Sequence, residues 1–187
     1  MLENLLKLVK EQAGDAIINN PAIPNEQNDE AIATAGSSIA GGLQNILGGG
    51  GIKDVLKLFG GQDADVSNSP VTENLTGNVV QDLMKKFNLD QSAASNIAGG
   101  LVPNVLNNLI KKTNDPNDSS FDIQGIFNSL SGGKTGGMDI AGLLGKFKGA
   151  GLDKDGDGDT DLQDVMAMFS GGGGGGILDT VKSFIGK

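Results

Sequence analysis

The chain has 187 residues and contains no Cys, His, Trp, Tyr or Arg. These absences exclude disulfide scaffolds, zinc or haem sites built on Cys and His, and every catalytic triad that needs an imidazole base. The net charge of −9 disfavours nucleic acid as a partner, because a negatively charged chain repels the phosphate backbone. Glycine occupies 31 positions, more than double the ordinary share of about 7 %.

Large apolar residues recur along the chain at the spacing i, i+3, i+4, i+7, which predicts short amphipathic helices. The nine predicted helices, bounded by the apolar residues of each stripe, are 2–9, 39–46, 52–59, 80–87, 102–109, 123–130, 140–147, 162–169 and 177–184. No stretch alternates with a period of two for long enough to predict a strand. We therefore predict an all-α fold in which the helices pack as a bundle, since most of them span only two to three turns and are too short to persist alone.

Residues that favour helix ends stand around these stripes. Side chains suited to an N-cap or to the first turn occur at Asp29, Ser69, Asp90, Asp122, Asp139 and Asp161. Glycine follows within three residues of Phe59, Leu130, Phe147, Phe169 and Phe184. Because glycine adopts the left-handed conformation that ends a helix, these positions predict C-termini.

Connectors rich in Gly, Pro and polar residues divide the chain into four predicted regions. These are N-terminal helices over 1–47, a helical region over 48–112, a helix-loop-helix region over 113–170, and a linker with a C-terminal amphipathic helix over 171–187. The linker begins with six consecutive Gly residues, 171–176. Such a composition behaves as a flexible coil. The glycine surplus is thus assigned to helix ends, to tethers and to one turn at Gly158.

Residues 153–164 read DKDGDGDTDLQD and place oxygen ligands at loop positions 1, 3, 5, 7, 9 and 12, with Gly158 at position 6. A calcium ion takes six to eight oxygens, and glycine at position 6 permits the sharp turn that points them inward. The predicted ligands are Asp153, Asp155, Asp157, Asp159 through its carbonyl, Asp161 and Asp164. The spacing therefore predicts a Ca²⁺ site. Mg²⁺ is possible as well, because Asp164 is shorter than the Glu that sensor loops place at position 12.

With predicted helices at 140–147 and 162–169 on either side, this loop resembles the EF-hand superfamily. The closing residues DVMAM, 164–168, resemble dockerin and bacterial single-repeat variants more than calmodulin-type loops. A second segment, 114–125, shares a D-I/L-Q pattern with the loop at Asp122 and Asp161. It is either a degenerate partner loop or an ordinary capped turn, and the sequence leaves both open.

Two further segments, GGGGIKDVLKLFGG at 48–61 and KKFNLDQSAASNIAGGLVPNVLNNLIKK at 85–112, resemble the YidB-like family of bacterial helical proteins of unknown function. In the second segment Asp90 begins a helix, and the Leu-x-Pro step from Leu101 to Pro103 predicts the start of the next one. The resemblance implies an all-α domain and a bacterial source, and it supplies no catalytic residues.

The sequence predicts a non-enzymatic calcium-binding helical protein with a structural or protein-interaction role. Its partner would be an unidentified protein or a second copy of the chain. The alternative is association with a membrane or other surface through 177–187, where Ile177, Leu178, Val181, Phe184 and Ile185 lie near one helix face. Charged residues interrupt the apolar N-terminus and no apolar span is long enough for a membrane, which predicts a cytoplasmic protein or export without a signal.

Overall fold

The computed structural model describes residues 2–60, 66–115, 118, 121–133 and 135–149. Within these residues it contains seven α-helices and no strand, which confirms the predicted all-α fold. The helices are α1 (Leu2–Gln12), α2 (Asn28–Gly48), α3 (Ile52–Gly60), α4 (Pro70–Phe87), α5 (Gln91–Thr113), α6 (Ile123–Leu130) and α7 (Ile140–Gly149). A π-helical turn lies at Gly14–Ile18, and 3₁₀ turns lie at Asn25–Gln27 and Val66–Asn68.

Seven of the nine predicted stripes fall in the described residues, and each forms a helix. The stripes at 162–169 and 177–184 lie outside the described residues. Three helices are longer than the predicted two to three turns: α2 has 21 residues, α4 has 18 and α5 has 23. In α2 the additional turns bury Ala31, Ala35 and Gly36, small residues that a search for large apolar side chains does not register.

The predicted N-caps are confirmed at four helices. Each cap side chain accepts a hydrogen bond from a backbone N–H in the first turn, which satisfies a donor that has no partner within the helix. The bonds run from Thr72 N to Ser69 Oγ (3.1 Å), Ala93 N to Asp90 Oδ1 (2.8 Å), Gly125 N to Asp122 Oδ2 (2.7 Å) and Gly142 N to Asp139 Oδ1 (2.8 Å). Asp29 lies in the first turn of α2, and Asp161 lies outside the described residues.

Left-handed glycines end two of the helices. After α2, Gly50 has φ +95° and Gly51 N donates to Ile46 O at 2.8 Å. After α6, Gly132 has φ +65°, and the N–H of the residue that follows it donates to Asn128 O at 2.8 Å. In both cases the bond closes the 6→1 ring of a Schellman motif. The α6 case confirms the C-terminus predicted after Leu130, whereas α4 ends at a left-handed Asn88 (φ +52°) that the glycine pattern did not indicate.

The predicted helix start at the Leu101–Pro103 step is wrong, because α5 continues through Pro103. Proline removes one N–H, so the carbonyl of Gly99 has no donor from position i+4. Gly99 and Gly100 are exposed, which leaves this carbonyl next to solvent. The side chains of Leu101, Val102, Val105 and Leu106 are fully buried around the proline. Their burial, about 1.5–3 kcal/mol for each side chain, offsets the roughly 3 kcal/mol cost of an interior proline.

The core forms where α4 packs against both α2 and α5, and where α1 packs against the same two helices. Two glycines of α2 permit the close crossings: a Cβ at Gly36 would collide with Leu6 of α1, and a Cβ at Gly42 would collide with Leu75 of α4. Phe59 of α3 meets Phe127 of α6 edge to face, with the ring centroids 6.0 Å apart. The fully buried larger side chains include Leu8, Ile17, Ile39, Leu43, Leu58, Leu83 and Ile97.

The chain divides at the end of α7 into two units, Met1–Lys148 and Gly149–Lys187. Helices α1 to α6 and nearly all of α7 belong to the first unit. The predicted regions 1–47 and 48–112 share its core, since α2 from one packs on α4 from the other. The boundaries predicted near residues 112 and 170 stay predictions.

Candidate functional site

The six predicted calcium ligands lie outside the described residues, together with the outgoing helix predicted at 162–169. They are Asp153, Asp155, Asp157, Asp159, Asp161 and Asp164. The incoming helix is described: α7 runs from Ile140 to Gly149 and ends four positions before the first predicted ligand. The helix that the stripe at 140–147 predicts is therefore confirmed, and the loop that follows it in the sequence stays a prediction.

The start of α7 is fixed by its cap and by its apolar face. Asp139 accepts from Gly142 N through its side chain and from Leu143 N through its carbonyl, at 2.8 and 2.9 Å. Ile140, Leu143 and Leu144 are at most 6 % exposed, so the i, i+3, i+4 stripe faces the core of the first unit. The first turns of α7 are thereby held in one orientation.

Gln124 in the first turn of α6 binds the backbone at the start of α7. Its Nε2 donates to Met138 O at 2.9 Å and to Thr135 O at 3.5 Å, and its Oε1 accepts from Ile140 N at 2.9 Å. One amide thus bridges the two helices through both its donor and its acceptor. The sequence does not indicate this role, and its one signal at this residue is the D-I/L-Q pattern at Asp122, which contains Gln124.

Two buried hydroxyls brace the same connection. Ser131 and Thr135 are 4 % and 0 % exposed, and their oxygens lie 3.0 Å apart. Thr135 N also donates to Ser131 Oγ at 3.1 Å. Because every one of these polar groups has a partner, their burial carries no desolvation penalty for an unpaired group. The α6–α7 connection is therefore ordered by side-chain hydrogen bonds in addition to its apolar contacts.

In the segment 114–125, which the D-I/L-Q pattern aligns with the predicted ion loop, polar side chains bind protein groups. Asn114 Nδ2 donates to Phe59 O at 3.3 Å, and Asp118 Oδ2 pairs with Lys112 Nζ at 3.3 Å. Asp122 caps α6. These are contacts that a capped turn makes. They engage Asn114, Asp118 and Asp122, which align with positions 1, 5 and 9 of the predicted ion loop. The pairing of this segment with 153–164 stays a prediction, since the second loop lies outside the described residues.

Two further ion pairs among the described residues are exposed. Lys10 Nζ lies 3.0 Å from Asp29 Oδ1, and Lys86 Nζ lies 3.1 Å from Glu30 Oε1. Exposed pairs of this kind contribute about 0–1 kcal/mol each to stability. Among the described residues, no three acidic side chains lie close enough together to hold a metal ion. The ion ligands that the sequence predicts all belong to the segment 153–164, outside the described residues.

Two open clefts occur on the first unit. One, about 450 Å³, lies between α2 and α4 and is lined by small and amide side chains such as Ser37, Gly41 and Asn78. The other, about 480 Å³, lies beside Pro103 and includes the exposed Glu73. Both present hydrogen-bonding groups without a cluster of titratable side chains. The cleft between α2 and α4 has the chemistry of a polar surface groove, whereas the surface of the cleft beside Pro103 is mainly apolar.

Comparison of the sequence with models of protein families and with curated proteins, and of the structure with solved structures, found no match. The resemblances to the EF-hand superfamily and to the YidB-like family therefore stay predictions. Within the described residues, no helix combines the length and the apolar character needed to cross a membrane.

Proposed function

We propose that this protein is a non-enzymatic calcium-binding helical protein whose ion loop is 153–164, with a structural or protein-interaction role. The observation that carries the proposal is the spacing of its oxygen ligands: Asp at positions 1, 3, 5, 9 and 12, a carbonyl at position 7 and Gly158 at position 6. The described helix α7 supports it, because this helix ends four positions before the first ligand in the sequence.

The charge of the loop favours a divalent cation. Six Asp and one Lys within twelve residues give the segment a net charge of −5, more than half of the net charge of the whole chain. Bringing these carboxylates together without a counter-ion costs electrostatic free energy, and a bound divalent cation removes much of that cost. Carboxylate and carbonyl oxygens are hard ligands, which suit Ca²⁺ or Mg²⁺ rather than the softer transition metals.

Ion binding would act on the protein through stability. An ion that binds only the folded loop adds about 2.7 kcal/mol to the free energy of unfolding when its free concentration is 100 times Kd. Such a change orders a helix-loop-helix segment without any catalytic step. This supports a structural or interaction role, with a second protein or a second copy of the chain as the partner.

Calorimetric titration of the full chain with Ca²⁺ tests the proposal. We expect saturable binding, with weaker binding of Mg²⁺, and loss of the Ca²⁺ signal in Asp157→Ala, which removes the ligand at position 5. Glu73→Gln is the matched control, because it removes one negative charge from the exposed surface of α4 and should bind Ca²⁺ as the parent does. Absence of Ca²⁺ binding in the parent chain would refute the proposal. An equal loss of Ca²⁺ binding in Asp157→Ala and Glu73→Gln would also count against it, because it would show that binding depends on net charge and not on the loop.

The amphipathic pattern at 177–187 supports surface association as the second candidate. Its apolar residues would lie at the interface and Lys182 and Lys187 on the opposite side. Co-sedimentation with anionic liposomes compares the full chain with a chain that ends at Gly171. Binding that requires the last sixteen residues favours this candidate, and equal binding by the two chains counts against it.

A further inference from the structure

We draw no further inference here: the strongest candidate, the polar groove between α2 and α4 that Ser37, Gly41 and Asp82 line, rests on a stripe of small residues, and since the buried Ser38 hydroxyl beside it is covered by the protein itself, nothing in the structure shows what would occupy the groove.

Discussion

Two neighbouring glycines of α2 give a direct test of how this helix packs on α4. Gly41 faces open space, so a Cβ added there meets no atom within 4 Å. A Cβ on Gly42 would collide with the Leu75 side chain and would lie 3.1 Å from Asn78 Nδ2. Gly41→Ala and Gly42→Ala therefore make the same chemical change in the same helix, and they differ only in what the new methyl group meets.

The expected magnitudes follow from these surroundings. Alanine in place of glycine within a helix stabilises by about 0.8–1.0 kcal/mol, and Gly41→Ala should show this gain. Gly42→Ala makes the same gain but crowds Leu75, which is fully buried and so has little room to move. Overpacking of a core costs roughly 1–3 kcal/mol. We expect Gly42→Ala to range from neutral to about 2 kcal/mol less stable than the parent.

Urea denaturation followed by far-ultraviolet circular dichroism, at a fixed calcium concentration, measures both free energies of unfolding. A double-mutant cycle with Leu75→Ala assigns the cause, because removal of the Leu75 side chain should relieve the crowding at Gly42 and leave Gly41→Ala unaffected. We expect a coupling of about 1 kcal/mol or more for the first pair and none for the second. If Gly42→Ala proves as stable as Gly41→Ala, the close crossing of α2 and α4 is refuted.

Three further substitutions test other features of the described residues. Ser38→Ala should stabilise the protein by about 1–2 kcal/mol, because Ser38 Oγ is buried without a hydrogen-bond partner among the described residues and alanine is also the better helix former. Pro103→Ala should stabilise by about 1–2 kcal/mol, because it supplies the missing donor for Gly99 O but gives up the restriction that proline places on the unfolded chain. Gln124→Ala should destabilise by roughly 1–3 kcal/mol and speed amide hydrogen exchange at Ile140, whose N–H loses the 2.9 Å bond to Gln124 Oε1 and keeps only the 3.1 Å bond to Met138 O.

Each of these three has an outcome that contradicts it, and the Ser38 and Gln124 substitutions also have a control variant. Ser37→Ala, at an exposed neighbour of Ser38, should gain only the helix propensity difference, so equal gains for the two serines would argue against an unpaired hydroxyl. A loss of stability in Pro103→Ala would contradict the expectation, because it would show that the regained hydrogen bond to Gly99 O contributes less than the restriction that proline places on the unfolded chain. For Gln124 the control is Gln44→Ala, at an exposed position. Unchanged hydrogen exchange at Ile140 in Gln124→Ala would show that the Gln124 side chain does not bridge α6 and α7.

Local chemistry made the helices predictable from the sequence. Where large apolar residues recur at helical spacing, one face of the segment must be buried, and α3 and α6 begin at the first residue of their predicted stripes. The caps were readable for the same reason, because Asp90 and Asp122 bind N–H groups only three residues away. The predicted ion loop is equally local, since all its ligands fall within twelve consecutive residues.

The role of each glycine inside a helix depended on the partner helix. The sequence does not distinguish Gly36, Gly41 and Gly42 from one another. In the structure Gly36 and Gly42 lie at helix crossings, and Gly41 faces open space. The sequence pattern places the glycine surplus at helix ends, in tethers and at one loop turn, and it carries no signal that identifies glycines which allow close packing. The bridge from Gln124 to the start of α7 depended in the same way on a residue sixteen positions away.

By itself, the sequence determined where helices form and how several of them begin and end, because each of these depends on residues within one or two turns of each other. For the same reason it predicts a hard-cation site in one oxygen-rich segment, and that site stays a prediction. Only the tertiary structure decided how far α2 and α5 extend, that Pro103 lies within a continuous helix, and which glycines sit at crossings. The physical reason is burial. A proline or a small residue is tolerated in a helix when neighbouring helices cover the adjacent side chains, and those neighbours come from distant parts of the chain.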